Sequence, residues 1–314
     1  MQPMKLTTRE LTCLRAVVNA GSARVTEIAA AVRTPRPHVS RALGTLEDKG
    51  FVTTNKIGFS KIVAISETKH ATLWRRLVLE SGHMPLEELL SGTSLEVLSA
   101  ICNLTPSNRR ETAQAASVSE RSVALVLEKL KRVGVVQKTA SKYDVSPRFQ
   151  TLREFVTEYR RYLNQRIAQG FASDAVVLWE CNAEFIIESK ADQARNGFQL
   201  TGASSFARFG VPLIAVRSYF FYAPSARRLK LEDIILHSLL LPERERNLLL
   251  TLLVWRKQER AMNIQYLERQ AERYGATEAV RQIMAYFASE GQERAPGIPP
   301  WDEFVVKAQE YGIL

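Results

Sequence analysis

Slid along itself by 84 positions, the first half of this 314-residue chain matches without a gap. Glu27, Ala29, Ala31, Val39, Leu43, Leu46, Gly50 and Val52 fall on Glu111, Ala113, Ala115, Val123, Leu127, Leu130, Gly134 and Val136. The same offset sets Leu11, Leu14, Ala16 and Val17 on Leu95, Leu98, Ala100 and Ile101. Nearly all these positions are small or apolar and recur at helical spacing, so the two copies share a core more than a surface. Such a chain is constrained to build one small unit twice.

Each copy has the same grammar. A first helix (8–19 and 94–103) precedes a short alanine-rich one (25–32 and 110–116), and a turn leads into a longer helix (35–49 and 119–133) that ends on glycine. Ala29 and Ala113 stand where two helices cross closely, and Gly50 and Gly134 suit the left-handed residue that closes a helix. Two β-prone stretches follow: Phe51–Asn55 with Lys61–Ile65, and Val135–Thr139 with Lys142–Val145, with Gly58 and Ser141 in the turns. This order, and above all the stretch VTEIAAAVRTPRPHVSRALGTLEDKGFV from Val25 to Val52, resembles the winged helix-turn-helix regulators of the MarR and ArsR type. The resemblance spans residues 5–80 and 86–170. It implies a double-stranded DNA partner and transcriptional regulation, with repression the expected action; a winged helix used for protein–protein contact is the alternative.

Charge is distributed to match. Residues 1–80 carry 13 Lys/Arg against 6 Asp/Glu, residues 81–170 carry 13 against 9, and residues 171–314 carry 17 against 18. The whole net charge of +10 therefore sits in the first 170 residues, where a polyanion would release its counterions. With 46% hydrophobic and 24% charged residues the chain is expected to be globular rather than disordered. It has no apolar run of ~20 residues and no signal-peptide pattern, so a cytoplasmic protein without a membrane partner is expected. The three cysteines, Cys13, Cys102 and Cys181, form no CxxC pair and sit in apolar surroundings, as free buried thiols do.

In helix-turn-helix proteins the third helix enters the major groove and its N-terminal residues meet base edges. Val39, Leu43 and Leu46 mark the buried stripe of helix 35–49, which leaves Arg36, His38, Ser40 and Arg41 outward, with Arg33 and Thr34 just before. Arginine pairs bidentately with guanine, so Arg36 and Arg41 are the candidates for base readout. Pro35 and Pro37 are tolerated in the first helical turn. Lys56 and Lys61 flank Gly58 in the hairpin, where a basic wing meets phosphate or minor groove. In the second copy Arg41 becomes Leu125, Ser40 becomes Ala124 and Gly44 becomes Glu128. Only Ser119, Arg121 and Ser122, with Lys138 and Lys142 in its wing, remain suited to DNA, and Leu125 beside Val126 suggests packing on another domain or subunit. The first copy is the expected main reader, and the second an accessory reader or dimerisation unit.

After the second copy, Leu152, Phe155, Val156, Tyr159, Leu163 and Ile167 recur at helical spacing between Pro147 and Gln169, as an interdomain or dimerisation helix would. A homodimer is expected, because operators read by such proteins are palindromic. Beyond 171, Ala175–Trp179, Phe185–Ile187 and Leu213–Phe221 are β-prone, and LTGASSFARFGVP reads as a short helix starting near Thr201 or Ser204 and ending at Gly210. Helices follow over 231–241, 243–258, 263–274, 277–289 and 301–311. The fold class expected is mainly α with small β elements (α+β): winged-helix domains over 1–82 and 83–170, then an α/β element and helical bundle over 171–314.

The segment TGASSFARFG, followed by a strand and LEDIILHSLLL, is similar to the C-terminal domain of AbiEi-type antitoxins and related nucleotidyltransferase-like folds. That resemblance implies an antitoxin autorepressor as an alternative. In a transcriptional regulator, the C-terminal domain is expected to sense a small-molecule effector, dimerise or bind a protein partner. No Asp-x-Asp follows Gly202 and Ser204, as a nucleotidyltransferase needs for Mg²⁺. Asp174 with Glu188 and Lys190 offers a weak metal-nuclease constellation, for which a solvated strand end is the plain alternative. His38, His70, His83 and His237 show no metal-ligand spacing, and no Walker loop, GxSxG or dinucleotide glycine pattern occurs. Aromatics such as Trp179, Tyr219, Phe220 and Tyr222 suit either core packing or an effector pocket. No cofactor, metal or catalytic residue is expected, and the chain reads as a non-enzyme.

Overall fold

A computed structural model describes residues 4–57, 60–104, 106, 108–139, 142–213, 216–225, 227–241 and 244–313. The chain divides into two compact units, Met1–Leu163 and Asn164–Leu314. Gly58 and Ser141, read as hairpin-turn residues, lie outside the described residues.

Helix α1 (Thr8–Ala20) opens the first unit on a capping box: Glu10 N–H donates to Thr7 Oγ1 at 3.1 Å and Thr7 N–H to Glu10 Oε2 at 2.6 Å. Strand β1 (Ser22–Arg24), α2 (Val25–Ala31), α3 (Arg36–Asp48), β2 (Val52–Ile57) and β3 (Ser60–Ile65) follow, the strands forming an antiparallel sheet ordered β1-β3-β2. Next come α4 (Lys69–Glu80), α5 (Leu86–Leu90), α6 (Ser94–Leu104), α7 (Arg109–Ala116), α8 (Glu120–Arg132) and the two-stranded hairpin β4 (Val136–Thr139) and β5 (Lys142–Val145).

Backbone hydrogen bonds recur 84 residues apart. Thr34 N–H donates to Ala29 O at 3.1 Å, and Val118 N–H to Ala113 O at 3.1 Å. At the helix exits Phe51 N–H reaches Leu46 O and Val135 N–H reaches Leu130 O, both at 2.9 Å. The turn residues Arg33 (φ 49°) and Ser117 (φ 52°) are both left-handed, as are Gly50 (φ 74°) and Gly134 (φ 70°). Among the described residues the copies part at the sheet, which has three strands in the first and two in the second.

A 3₁₀ turn (Pro147–Phe149) leads into the long helix α9 (Gln150–Phe171). Its stripe of Leu152, Phe155, Val156, Tyr159 and Leu163 is at most 2% exposed. The Phe155 ring lies 5.5 Å from Trp74, and the Tyr159 ring 4.9 Å from Phe51 and stacked on His70. The stripe that suggested an interdomain or dimerisation helix is therefore occupied within the chain, against α4 and Phe51 just beyond α3. Tyr162 closes over Gly50, where a Cβ would meet its ring at 2.5 Å. Glycine is required there by the left-handed φ and by this close approach.

In the second unit, β6 (Val176–Cys181), β7 (Glu184–Ser189), β8 (Phe198–Leu200) and β9 (Ser218–Tyr222) form one antiparallel sheet ordered β6-β7-β9-β8. All its pairings are antiparallel, so the element is α+β rather than α/β. The strand expected from Leu213 begins at Ser218, where Tyr219 N–H donates to Ser204 Oγ. The short helix is a 3₁₀ helix over Gly202–Phe209, closed by left-handed Gly210. Thr201 starts it without capping it, because its hydroxyl hydrogen-bonds His237 Nδ1 at 2.7 Å. Helices α10 (Leu231–Leu240), α11 (Arg244–Gln258), α12 (Ile264–Tyr274), α13 (Thr277–Ala288) and α14 (Trp301–Glu310) complete the unit. Their core includes Leu236, Leu252, Leu267, Ile283 and Phe304.

Candidate nucleic-acid interface

Helix α3 buries Val39, Ala42, Leu43 and Leu46 and leaves Arg36, His38, Ser40 and Arg41 exposed. At 100° per residue, Ser40, Arg41 and Gly44 point away from the buried stripe, with Arg36 and His38 at the two edges of that outward face. Neither the Arg36 nor the Arg41 guanidinium has an ion-pair or hydrogen-bond partner among the described residues. The helix is aimed by the ends it is tied to. Lys49, just past its C-terminus, is pinned by Glu10 at 2.6 Å and by Lys5 O at 2.9 Å. At its start Arg33 is exposed and left-handed, a conformation that costs about 1–2 kcal/mol outside glycine. Thr34 is half-buried and donates its hydroxyl to Val32 O at 3.1 Å, so it shapes the turn.

The wing brings Lys56 and Lys61 into register as a directly opposed cross-strand pair, both exposed. Opposed side chains share one face with Cβ atoms ~4.5–5.5 Å apart, where like charges repel.

The second copy spends the same residue types locally. Ser119 is the N-cap of α8, accepting from Ser122 N–H at 3.1 Å, and the two hydroxyls lie 2.9 Å apart. Lys138 and Lys131 sit 5.5 and 4.8 Å from the centre of the buried Tyr143 ring. Glu128 pairs with Arg132 at 3.0 Å. Lys129 turns inward to Glu88 O and Ser94 Oγ, and burial lowers its pKa. Arg121 and Lys142 remain exposed. Leu125, at the position of Arg41, is 62% exposed, whereas its neighbour Val126 belongs to the core and not to an outward patch.

Other chemistry-bearing groups are engaged in the fold. Asp174 accepts from Lys190 N–H at 2.8 Å and Ser189 Oγ at 2.9 Å, which holds its carboxyl below the ordinary range. The Arg217 guanidinium lies 2.9 Å from Glu188 and 3.6 Å from Asp174, so the two carboxylates of the suspected nuclease triad share a cation, while Lys190 points to solvent. Among the described residues no group of three or more His, Cys, Asp or Glu is placed to hold a metal. The cysteines are free; Cys13 is buried, Cys102 and Cys181 half-buried, and desolvation pushes their thiols up to about 11, 12 and 12. His70 is buried with Nε2–H donating to Lys49 O, and burial lowers its pKa to about 4. His237 is buried and pushed down to about 3 for the same reason, whereas His38 and His83 are exposed.

Sequence reasoning missed several interior polar contacts, most of which join residues far apart in the sequence. Glu96 and Arg160 form one; Arg227, Asp233 and Tyr266 form another, with Arg227 Nη1 2.7 Å from Asp233 and the Tyr266 hydroxyl donating to Asp233 at 2.9 Å. Glu184 accepts from the Tyr274 hydroxyl at 2.8 Å, beside Arg273.

Comparison with known families then separates the two ends of the chain. Residues 1–67 match the sugar-specific transcriptional regulator family TrmB. The TrmB match takes in α1–α3 and all three strands of the first sheet, so this segment is similar to the DNA-binding part of a transcriptional regulator. Residues 195–313 match a second family model, HVO_2833_C, C-terminal, which runs from β8 to α14 and contains the segment read as similar to AbiEi antitoxins. Neither a curated protein nor a solved structure matches the chain. No described helix is long and apolar enough to cross a membrane.

Proposed function

We propose that the chain is a sequence-specific regulator of transcription that reads double-stranded DNA mainly through its first winged helix. Helix α3 lies in the major groove with Arg36 and Arg41 toward base edges, and the opposed Lys56 and Lys61 grip phosphate. The observation that carries this reading is the outward face of α3: two guanidiniums without partners among the described residues, on the segment similar to TrmB. The second copy serves as an accessory. It shares the turn and exit geometry, yet presents Leu125 and a Glu128–Arg132 pair where the first presents Arg41 and Gly44. The TrmB match covers the helices and wing, so it supports DNA reading and says nothing of which effector acts.

Selection of bound genomic fragments tests the proposal, since it yields the site, its symmetry and its spacing together. A homodimer predicts two half-sites about 34 Å apart or a multiple of it. On the selected duplex Arg41→Ala weakens binding by about 1–3 kcal/mol, whereas Lys61→Ala weakens all sequences alike and lowers the salt slope by about 1. An unchanged footprint and affinity in both variants removes the first copy as reader.

A further inference from the structure

Gly44 stands in the interior of α3, one turn beyond Ser40 and Arg41 on the outward face. Glycine is the poorest helix former after proline, so a helix keeps it inside only for a reason. Two reasons are usual: a left-handed backbone, or an internal neighbour too close for a Cβ. Gly50 shows both, with φ 74° and the Tyr162 ring 2.5 Å from a built Cβ. Gly44 shows neither. It lies within regular helix, and a Cβ built there meets nothing within 4 Å. Thr45, beside it, donates its hydroxyl to Arg41 O at 3.1 Å, a second local concession in helix stability at the same turn. Nothing among the described residues accounts for the missing side chain.

We infer that Gly44 is the point where the DNA duplex comes closest to the main chain of α3. The bare Cα lets the groove wall reach the helix backbone, which carries Ser40 and Arg41 deep enough to touch bases. This rests on the reading of α3 as the recognition helix. The second copy supplies the contrast: Glu128 occupies the equivalent position, and its carboxylate, paired to Arg132, would face a polyanion. On this view Gly44 joins Ser40 and Arg41 among the positions that separate the docking helix from its copy.

The test uses the full chain with Gly44→Ala, Gly44→Glu and Arg41→Ala. The probes are the duplex recovered by genomic selection with the unaltered protein and a mixed-sequence duplex at low salt. Gly44→Ala is expected to melt about 2–4 °C higher, as relief of an interior glycine predicts, and to bind the selected duplex about tenfold or more weakly. Gly44→Glu is expected to bind more weakly still. A stabilised Gly44→Ala that binds like the unaltered protein overturns the inference, and so does a lowered melting temperature, which would reveal an internal neighbour. If Arg41→Ala loses affinity while Gly44→Ala does not, only the close approach fails. If both bind like the unaltered protein, or that protein binds neither duplex, the DNA reading of α3 fails with it.

Discussion

The pair formed by Glu96 on α6 and Arg160 on α9 is the most exacting test of how the first unit is held together. Its side chains are 7% and 3% exposed. Arg160 Nε–H also donates to Ser99 Oγ at 3.1 Å, and Glu96 Oε1 accepts from Met4 N–H at 2.6 Å. The ion pair thus ties α9, α6 and the segment before α1 at one buried point. Removing one partner leaves an uncompensated buried charge, so Arg160→Ala and Glu96→Ala should each cost about 3–5 kcal/mol. Replacing both by apolar residues of similar size, Glu96→Leu with Arg160→Met, removes both charges together. The main loss is then the unpaired Met4 N–H, about 1–3 kcal/mol. The double variant should be less damaged than the single-site sum by at least about 3 kcal/mol. Urea unfolding of the full chain measures this with Trp74 as reporter. Trp74 is the only tryptophan in the first unit, so replacing Trp179, Trp255 and Trp301 by Phe isolates its signal. A double variant as unstable as the sum of the singles, or an Arg160→Ala cost under about 1 kcal/mol, refutes the argument.

Two further predictions concern the same unit. Gly21 and Gly50 have nearly equal φ, 71° and 74°, but a Cβ at Gly21 meets nothing within 4 Å while one at Gly50 meets Tyr162 at 2.5 Å. Gly21→Ala should cost about 1–2 kcal/mol and Gly50→Ala about 1–3 kcal/mol more, the excess vanishing in a Tyr162→Ala background; equal costs in urea unfolding would sink the packing argument. Burial lowers the pKa of His70 from 6.5 to about 4, so between those pH values the unfolded chain binds the proton more readily. Stability from this group is full above pH 6.5 and falls as the pH drops toward 4, by about 2–3 kcal/mol at pH 4.5. His70→Phe should flatten the fall by that amount between pH 7 and 4.5, and an unchanged slope would assign the acid sensitivity elsewhere.

Much of the fold was legible because its signals are local. The stripe Val39, Leu43 and Leu46 and the exit Gly50 bound α3 to within a residue or so, and the same pattern works 84 residues later. What the chain could not announce is pairing across distance. Strand β1 has three residues, too few for alternation to show, and exists because Ser22–Arg24 bond to Ile62–Ala64. The stripe of α9 announced a buried face without naming its partner, which is Phe51, His70 and Trp74 of the same chain. The candidate site was readable as the complement of the core, which is why Arg36, Ser40 and Arg41 emerge exposed. Residue type alone did not show that Thr34, Ser119, Ser122 and Lys138 also serve a turn, a cap and an aromatic ring within the chain.

On the proposed reading, the inequality of the two copies reflects the cost of keeping a DNA-facing surface. A reading face must hold guanidiniums without acidic partners, opposed lysines and a glycine inside a helix, each of which forgoes local stabilisation. The first copy carries all of these at Arg36, Arg41, Lys56, Lys61 and Gly44. The second has Glu128 in an i,i+4 ion pair with Arg132 at the position of Gly44, and elsewhere a serine cap on α8 and Lys138 laid over Tyr143. With no duplex to meet, a winged helix drifts toward such choices, because they strengthen the scaffold at no loss. With a duplex to meet, it cannot. One turn and exit geometry with opposite surface choices therefore supports the proposal that the first copy is the one under constraint from a ligand.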